Sequence, residues 1–249
     1  MVEIKVLKLS PLDTNCYVVK TGDKSGVVID PADKSDTILQ AAKDMGIEIK
    51  KILLTHGHFD HFSATYELFY GGAKAIRDAE NKVKDKNKKL KEKDPKAEIE
   101  IFDIEKDMKK TDIPVYIHEA DACMLNDANK SLAYFCPSLP FHSVKADKLI
   151  KDGEKIEQDG ITFEVMHTPG HSAGSVCYIL KADNKNIMFA GDTIFYGSIG
   201  RSDGYSGDYI VQQATLDKLK ALEEDYIILS GHGPSTSLSE EKKYNPFLN

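Results

Sequence analysis

An α/β layered domain is the fold class this sequence predicts, on three observations. Short apolar runs of strand length recur along the chain, with helical periodicity between them in the first third and again near the end. Four of those runs pass through a small or turn-forming residue into a histidine or aspartate, as strands ending at one edge of a sheet would. At 249 residues, a single domain over 1–249 is long enough to bury an ample core.

Strands are expected near residues 2–9, 15–20 and 26–30, followed by a helix near 34–45 that Gly46 is placed to end. Lys51-Ile52-Leu53-Leu54 reads as a buried strand running into His56. A helix over Ser63 to Tyr70 should follow, its N-terminus facing the histidines, until Gly71-Gly72 interrupts it. Residues 76–111 read as an inserted charged helical excursion. Ala79, Val83 and Leu90 share one side there, lysines from Lys82 to Lys93 coat the rest, and Asp94-Pro95 closes it. Ile99 and Ile101 then alternate with glutamates as an edge strand would. A strand over Ile113-Pro114-Val115-Tyr116-Ile117 precedes a helix starting at His118-Glu119-Ala120-Asp121. Strands near 161–167, 175–180 and 186–190, a helix from about Asp208 to Glu223 and a strand over Tyr226 to Ser230 complete the order.

The most concentrated chemistry lies in Thr55-His56-Gly57-His58-Phe59-Asp60-His61. Imidazoles and a carboxylate packed this closely repel one another when charged and waste polar groups when buried, unless a cation draws them together. Three further candidates follow apolar runs: His171 after Thr168-Pro169-Gly170, Asp192 after Gly191, and His232 after Gly231. Seven ligands exceed the four of one tetrahedral zinc, so two adjacent divalent ions are expected. The assignment is His56, His58 and His171 on the first, Asp60, His61 and His232 on the second, with Asp192 bridging. Two ions so placed can share a hydroxide generated at neutral pH, which suits hydrolysis of an ester-like or thioester bond. Asp60 and Asp192 are read as catalytic as well as ligating, Asp60 by orienting the water. No ligand is a thiolate, so zinc is the first expectation, with iron and manganese as alternatives.

These residues resemble the metallo-β-lactamase superfamily, through H-x-H-x-D-H at 56–61, T-P-G-H at 168–171, G-D-T at 191–193 and G-H-G-P at 231–234. The resemblance implies a four-layer αββα sandwich with the metal site at one edge. Pro11 to Tyr17, Val28-Ile29-Asp30-Pro31, Gly197 to Asp203 and the stretch from Glu240 to Phe247 narrow it to the small glyoxalase II-like hydrolases. It covers about residues 1–75 and 112–249. It implies a hydroxyacylglutathione hydrolase-like thioesterase, with a mononuclear iron persulfide dioxygenase-like oxidoreductase as the alternative, using the His56, His171 and Asp192 positions. An aspartate at the bridging position sets the chain apart from true β-lactamases. No C-terminal helical domain of the glutathione-holding kind is expected beyond His232. Arg201 stands where the family's glutathione-gripping basic residue falls, while Asp203 occupies the place of its aromatic partner and Tyr205 lies close by. Arg201, Asp203 and Tyr205 are accordingly the substrate-binding candidates, and a small anionic substrate is expected.

Composition excludes other classes. A net charge of −7 disfavours a general nucleic-acid binder. Residues 77–110 carry 12 basic and 10 acidic side chains, so the excursion alone is positive, and it reads as a solvated surface segment or as a lid or homodimer contact. No apolar stretch reaches membrane-span length, and Met1 to Val6 alternates like a strand rather than a signal peptide. Cys16, Cys123, Cys136 and Cys177 lack C-x-x-C spacing, consistent with reduced thiols and a cytoplasmic location.

Among the remaining residues, Asp30 ends an apolar strand and either forms a turn or orients a metal-bound histidine by accepting its free N–H. His118 is read as a helix cap, His142 as exposed in a proline-containing loop, and His167 as structural. Tyr134, Phe135 and Phe141 either wall a pocket or pack locally.

Overall fold

A computed structural model describes residues 2–248. Its first half forms strands β1 (Glu3–Leu9), β2 (Thr14–Lys20), β3 (Ser25–Ile29), β4 (Glu48–Leu53), β5 (Val115–His118) and β6 (Lys148–Ile150). These lie side by side in sequence order in one sheet, antiparallel from β1 to β3 and parallel from β3 to β6. The second sheet contains β7 (Lys155–Gln158), β8 (Ile161–His167), β9 (Val176–Ala182), β10 (Lys185–Gly191), β11 (Ile227–Ser230) and the short β12 (Thr236–Ser237), again in sequence order. Here only the β10–β11 pair is parallel.

Strand periodicity assigns the faces. Tyr17, Val19, Val27 and Ile29 point at Phe163, Val165, Tyr178 and Phe189 of the facing sheet. Their neighbours Val18 and Val28 point the other way, onto helix α1 (Ser35–Asp44) and the short helices α2 (Phe59–Phe62) and α3 (Thr65–Leu68). On the far side, Ile179, Met188 and Ile228 meet Leu216 and Leu219 of α6 (Tyr209–Ala221) and Leu238 of α7 (Leu238–Tyr244). Helix, sheet, sheet, helix is the four-layer αββα sandwich expected. Each fully buried ring such as Phe163 or Phe189 contributes about 1.5–3 kcal/mol through transfer from water.

Local signals explain the terminations. Gly46 ends α1 at φ +69°, with the Ile47 N–H reaching back to the Ala42 carbonyl, a Schellman arrangement that glycine favours. Asp208 caps α6 through the N–H groups of Ile210 and Val211.

Several expectations need correction. The helix expected over Ser63 to Tyr70 starts earlier, at Phe59, and splits into α2 and α3. At the break, the Ala64 N–H bonds to the Pro31 carbonyl and the Ser63 hydroxyl to that of Ala32. The excursion helix α4 (Ala73–Lys93) begins three residues before 76, because Ser35 Oγ and Asp36 of α1 accept from the N–H groups of Ala73 and Lys74. Beyond it, only α5 (Ile104–Asp107) is helical within 76–111. Ile99 and Ile101 form no edge strand. Asn87 clamps both backbone groups of Glu100, leaving the two isoleucines 57% and 80% exposed. The helix expected at His118 is a tight 3-10 turn over Glu119–Asn126, which His118 Nδ1 caps. Strands β6 and β7 were not anticipated, although Asp159-Gly160, both at positive φ, is a hairpin signal between β7 and β8. No helix among the described residues is long and apolar enough to cross a membrane.

Candidate metal centre

All seven proposed ligands meet where the two sheets end. His56 and His58 follow β4, Asp60 and His61 sit in α2, His171 follows β8, Asp192 follows β10, and His232 follows β11. The rim is stitched across the sheets: the Thr55 carbonyl accepts from Val176 N–H, and the Gly231 carbonyl from Asn15 N–H at 2.7 Å. Glycine is required at 231, where a Cβ would overlap Asp192 Oδ1.

The nitrogens converge as two sets. His171 Nε2 lies 3.3 Å from His56 Nε2 and 2.9 Å from His58 Nδ1. His61 Nε2 lies 3.3 Å from His232 Nε2, and Asp60 Oδ2 is 3.5 Å and 3.4 Å from those two atoms. Asp192 reaches both sets: Oδ2 is 3.5 Å from His171 Nε2 and from His232 Nε2, and Oδ1 is 3.4 Å from His61 Nε2.

These residues fit cations. His171 Nδ1 donates to the Arg201 carbonyl at 2.6 Å and His232 Nδ1 to that of Leu12 at 3.1 Å, so both Nε2 lone pairs turn inward on other imidazoles. Asp192 Oδ1 is buried with no hydrogen-bond partner. Lone pairs aimed at lone pairs, beside a buried bare carboxylate oxygen, call for a positive ion between them.

Without metal, the electrostatics are divided. Burial, then the surrounding imidazoles, drives His56 well below the ordinary histidine range, and burial with His171 takes His58 down to about 3. Burial also opposes a charge on His61, but Asp60, Asp192 and Asp30 outweigh it and raise His61 well above its usual value. His232 is raised against burial by Asp192 and Asp60. Asp60, despite burial, is held at about 2 by His61 and His232, and Asp192 lies well below the carboxylate range for the same reason.

Asp30 holds the His61 ring in place. Its Oδ2 accepts from His61 Nδ1 at 2.9 Å, while Thr55 N–H and hydroxyl fix the carboxylate at 2.8 and 2.6 Å. Three other supporting residues went unread. Thr14 donates to Asp60 Oδ2 at 2.7 Å. Tyr17 donates to the Ser230 carbonyl at 2.5 Å, beside the His232 loop. Asp121, fully buried, accepts from Gly57 N–H, Gly174 N–H and Ser172 Oγ, tying the His56–His58 loop to the one after His171. Burial raises its pKa. A polar residue opening a predicted helix was the available signal, but the contacts span 50 or more residues.

A cleft of about 290 Å³ opens over the ligands, walled by Leu12, Leu132, Phe135, Phe195, Gly200 and Arg201. Arg201 Nε and a terminal guanidinium nitrogen donate to the two oxygens of Asp203 at 2.6 and 2.8 Å, and the guanidinium carbon stands 5.6 Å from the Phe135 ring centre. Tyr205 is not brought to the cleft wall; it faces Cys123 and Lys130. No residue of 76–111 lines the cleft. His142 stacks on Tyr66 rather than standing free, His167 stacks on His118, and Phe141 packs on Phe59. A larger cleft of about 680 Å³, lined by Leu39, Ile47 and Leu68, holds none of the ligands.

Comparison with known proteins agrees with this geometry. The family model of the metallo-beta-lactamase superfamily matches residues 9–98 and 101–232. The chain belongs to the metallo-β-lactamase superfamily. It is 28% identical to the hydroxyacylglutathione hydrolase GloC of Haemophilus influenzae, over 99% of this chain and 98% of that one. The B3 metallo-beta-lactamase BLEG-1 superposes with a TM-score of 0.74 at 30% identity, covering 99% of both chains. TTHA1623, solved in a di-iron-bound form, does so with a TM-score of 0.71 at 30% identity, covering 98% of this chain and all of that one. Membership, with the assembled histidines and aspartates, makes this a metallo-hydrolase-type protein able to hold metal ions.

Proposed function

We propose that this protein is a dinuclear metal-dependent hydrolase that cleaves a thioester. The observation carrying the reading is that Asp192 lies within 3.5 Å of His171 in one group of three and of His61 and His232 in the other. The alternative, a mononuclear iron dioxygenase, would hold its iron through His56, His171 and Asp192, and retention of all seven residues is compatible with it, so the metal count discriminates the two. GloC's name as a hydroxyacylglutathione hydrolase supports a thioester as the bond broken, and the di-iron form of TTHA1623 supports two ions.

His56, His58 and His171 would hold one ion and Asp60, His61 and His232 a second, with Asp192 within reach of both groups. Bound there, the cations would supply an activated water at neutral pH and polarise a substrate carbonyl. The chain's own contribution is positional. Asp60, locked by Thr14, orients the water; Asp30 keeps His61 in the tautomer that offers Nε2; the apolar wall limits access of bulk water. Zinc suits the all-nitrogen and oxygen set, as do iron and manganese. The four free cysteines suit the reducing cytoplasm. A homodimer through the excursion is the proposed assembly, its exposed Leu90, Ile99 and Ile101 offering apolar contact.

Metal quantification on protein as purified, paired with a thioester panel including S-lactoylglutathione, tests the reading. Two metals per chain and thioester hydrolysis are expected. A single iron, with oxygen consumed in the presence of a persulfide, would overturn it.

A further inference from the structure

We infer that Glu241 and Asn245 of α7 are positioning residues of the metal centre: they hold the 195–198 turn so that the Phe195 ring screens His232 in the cleft. This role rests on His232 being a metal ligand, as proposed above, and is independent of the bond that is cleaved.

The stretch from Glu240 to Phe247 carries none of the seven candidate ligands, yet two of its polar side chains are as buried as the core. Glu241 is 2% exposed and Asn245 fully buried. Such groups are costly to bury unless their bonds are made, so the destination of those bonds is informative. Glu241 Oε1 accepts from the Thr236 hydroxyl at 2.7 Å. Its Oε2 accepts from Gly197 N–H at 2.9 Å and from the Asn245 amide at 2.8 Å. That amide also donates to the Ser198 carbonyl at 3.0 Å and to the Phe195 carbonyl at 3.5 Å. Three of these contacts fall on one turn, 44 to 50 residues upstream.

The turn lies between two points of the centre. Asp192 precedes it, and the Arg201 carbonyl, which accepts from His171 at 2.6 Å, follows it. Phe195 and Ser198 close the turn with backbone bonds at 2.9 and 3.3 Å, Gly197 takes φ +64°, and Tyr196 at the tip is exposed. Half-buried Phe195 lines the cleft and stands edge-on to His232, with ring centres 6.0 Å apart. His232 has the most exposed side chain of the clustered histidines, 26% against 0% for His61 and 4% for His171. It is the weak flank of the site, and Phe195 is the wall beside it.

The bonding pattern separates position from charge. Glutamine in place of Glu241 can keep its oxygen on Gly197 and Asn245 and turn its NH2 to the Thr236 oxygen, which accepts as well as donates. Methionine keeps the volume and loses the carboxylate oxygens.

The test loads the full chain with zinc and follows zinc release to excess EDTA. The variants are F195A, N245A, E241M, E241Q, T236V and N245A/F195A, with metal content and thermal midpoint recorded for each. N245A, E241M and F195A should begin with wild-type metal content and release it about three- to tenfold faster. E241Q should stay within about twofold of wild type, because its bonds to the turn survive. T236V, which loosens α7 from β12 but not from the turn, should do the same. The double variant should be no faster than F195A, since Asn245 acts through that ring.

Unchanged release in N245A and F195A, release in T236V as fast as in N245A, or effects that multiply in the double variant would overturn the role. If N245A folds poorly, E241M against E241Q decides the same question. One zinc per chain leaving in this pattern would sink the two-ion reading and keep the role. The same pattern without cleavage of any thioester would sink only the thioesterase reading. Protein that takes up no zinc would overturn both.

Discussion

His56 and His61 lie five positions apart in the chain, yet their environments push their proton affinities in opposite directions. Burial and the neighbouring imidazoles hold His56 well below the usual histidine range, whereas Asp60, Asp192 and Asp30 outweigh burial and raise His61 well above it. His232 is raised likewise. A cation binds the neutral form, so the upward shifts of His61 and His232 make metal affinity rise with pH through the range where they titrate. Titrating chelator-stripped protein with zinc at several pH values, in two buffers of different ionisation enthalpy, should show protons released on loading. No release at any of them would contradict the upward shift of His61. Substitutions separate bridging from orienting: Asp192→Ala should lose metal and abolish hydrolysis. Asp30→Asn should weaken the second metal about 10–100-fold while sparing the first, since the amide presents hydrogens to Thr55 and His61 donors. Equal loss of both metals in Asp30→Asn, by metal analysis, would count against that division. The converging histidines and aspartates were legible because the spacing of strand, turn and polar residue is local. The states of those residues were not, because they depend on charges contributed by other strands.

At the scale of elements, the charged excursion shows what periodicity does and does not reveal. Lysines around α4 announced a solvated helix, and α4 has no buried residue. The alternation of Ile99 and Ile101 suggested a strand, but neither isoleucine pairs with a sheet edge, and they stay 57% and 80% exposed. Asn87 satisfies the Glu100 backbone instead. Asn87→Ala removes two neutral hydrogen bonds, each worth about 1 kcal/mol, from a segment with little other anchorage. Proteolysis within 94–101 should speed up several-fold while metal content and thermal midpoint stay near wild type; a large fall in the midpoint would show that the clamp stabilises the whole fold. Strand β7 was missed although its Asp-Gly turn was visible, because four alternating residues flanked by lysines and glutamates carry little apolar signal.

Across the whole molecule, the two sheets are held by one interior in which Tyr17 meets Phe189 edge-to-face at 5.3 Å, and the Tyr178 hydroxyl crosses to the Leu54 carbonyl. Phe189→Ala should cost about 3–5 kcal/mol, seen as a lower urea midpoint in metal-free protein. Because the ligands come from both sheets, metal should restore part of that loss by binding only the folded form. If metal failed to stabilise the variant at all, the site would not span the sheets as described. By itself the sequence determined the layered class and singled out the seven histidines and aspartates that come together at the sheet ends, since these follow from side-chain periodicity and from motifs a few residues long. Only the tertiary structure decided that Arg201 spends its charge on Asp203, that Tyr205 turns away, and that Thr14 and Asp121 brace the centre. Those outcomes depend on distances between side chains that residue spacing along the chain does not encode.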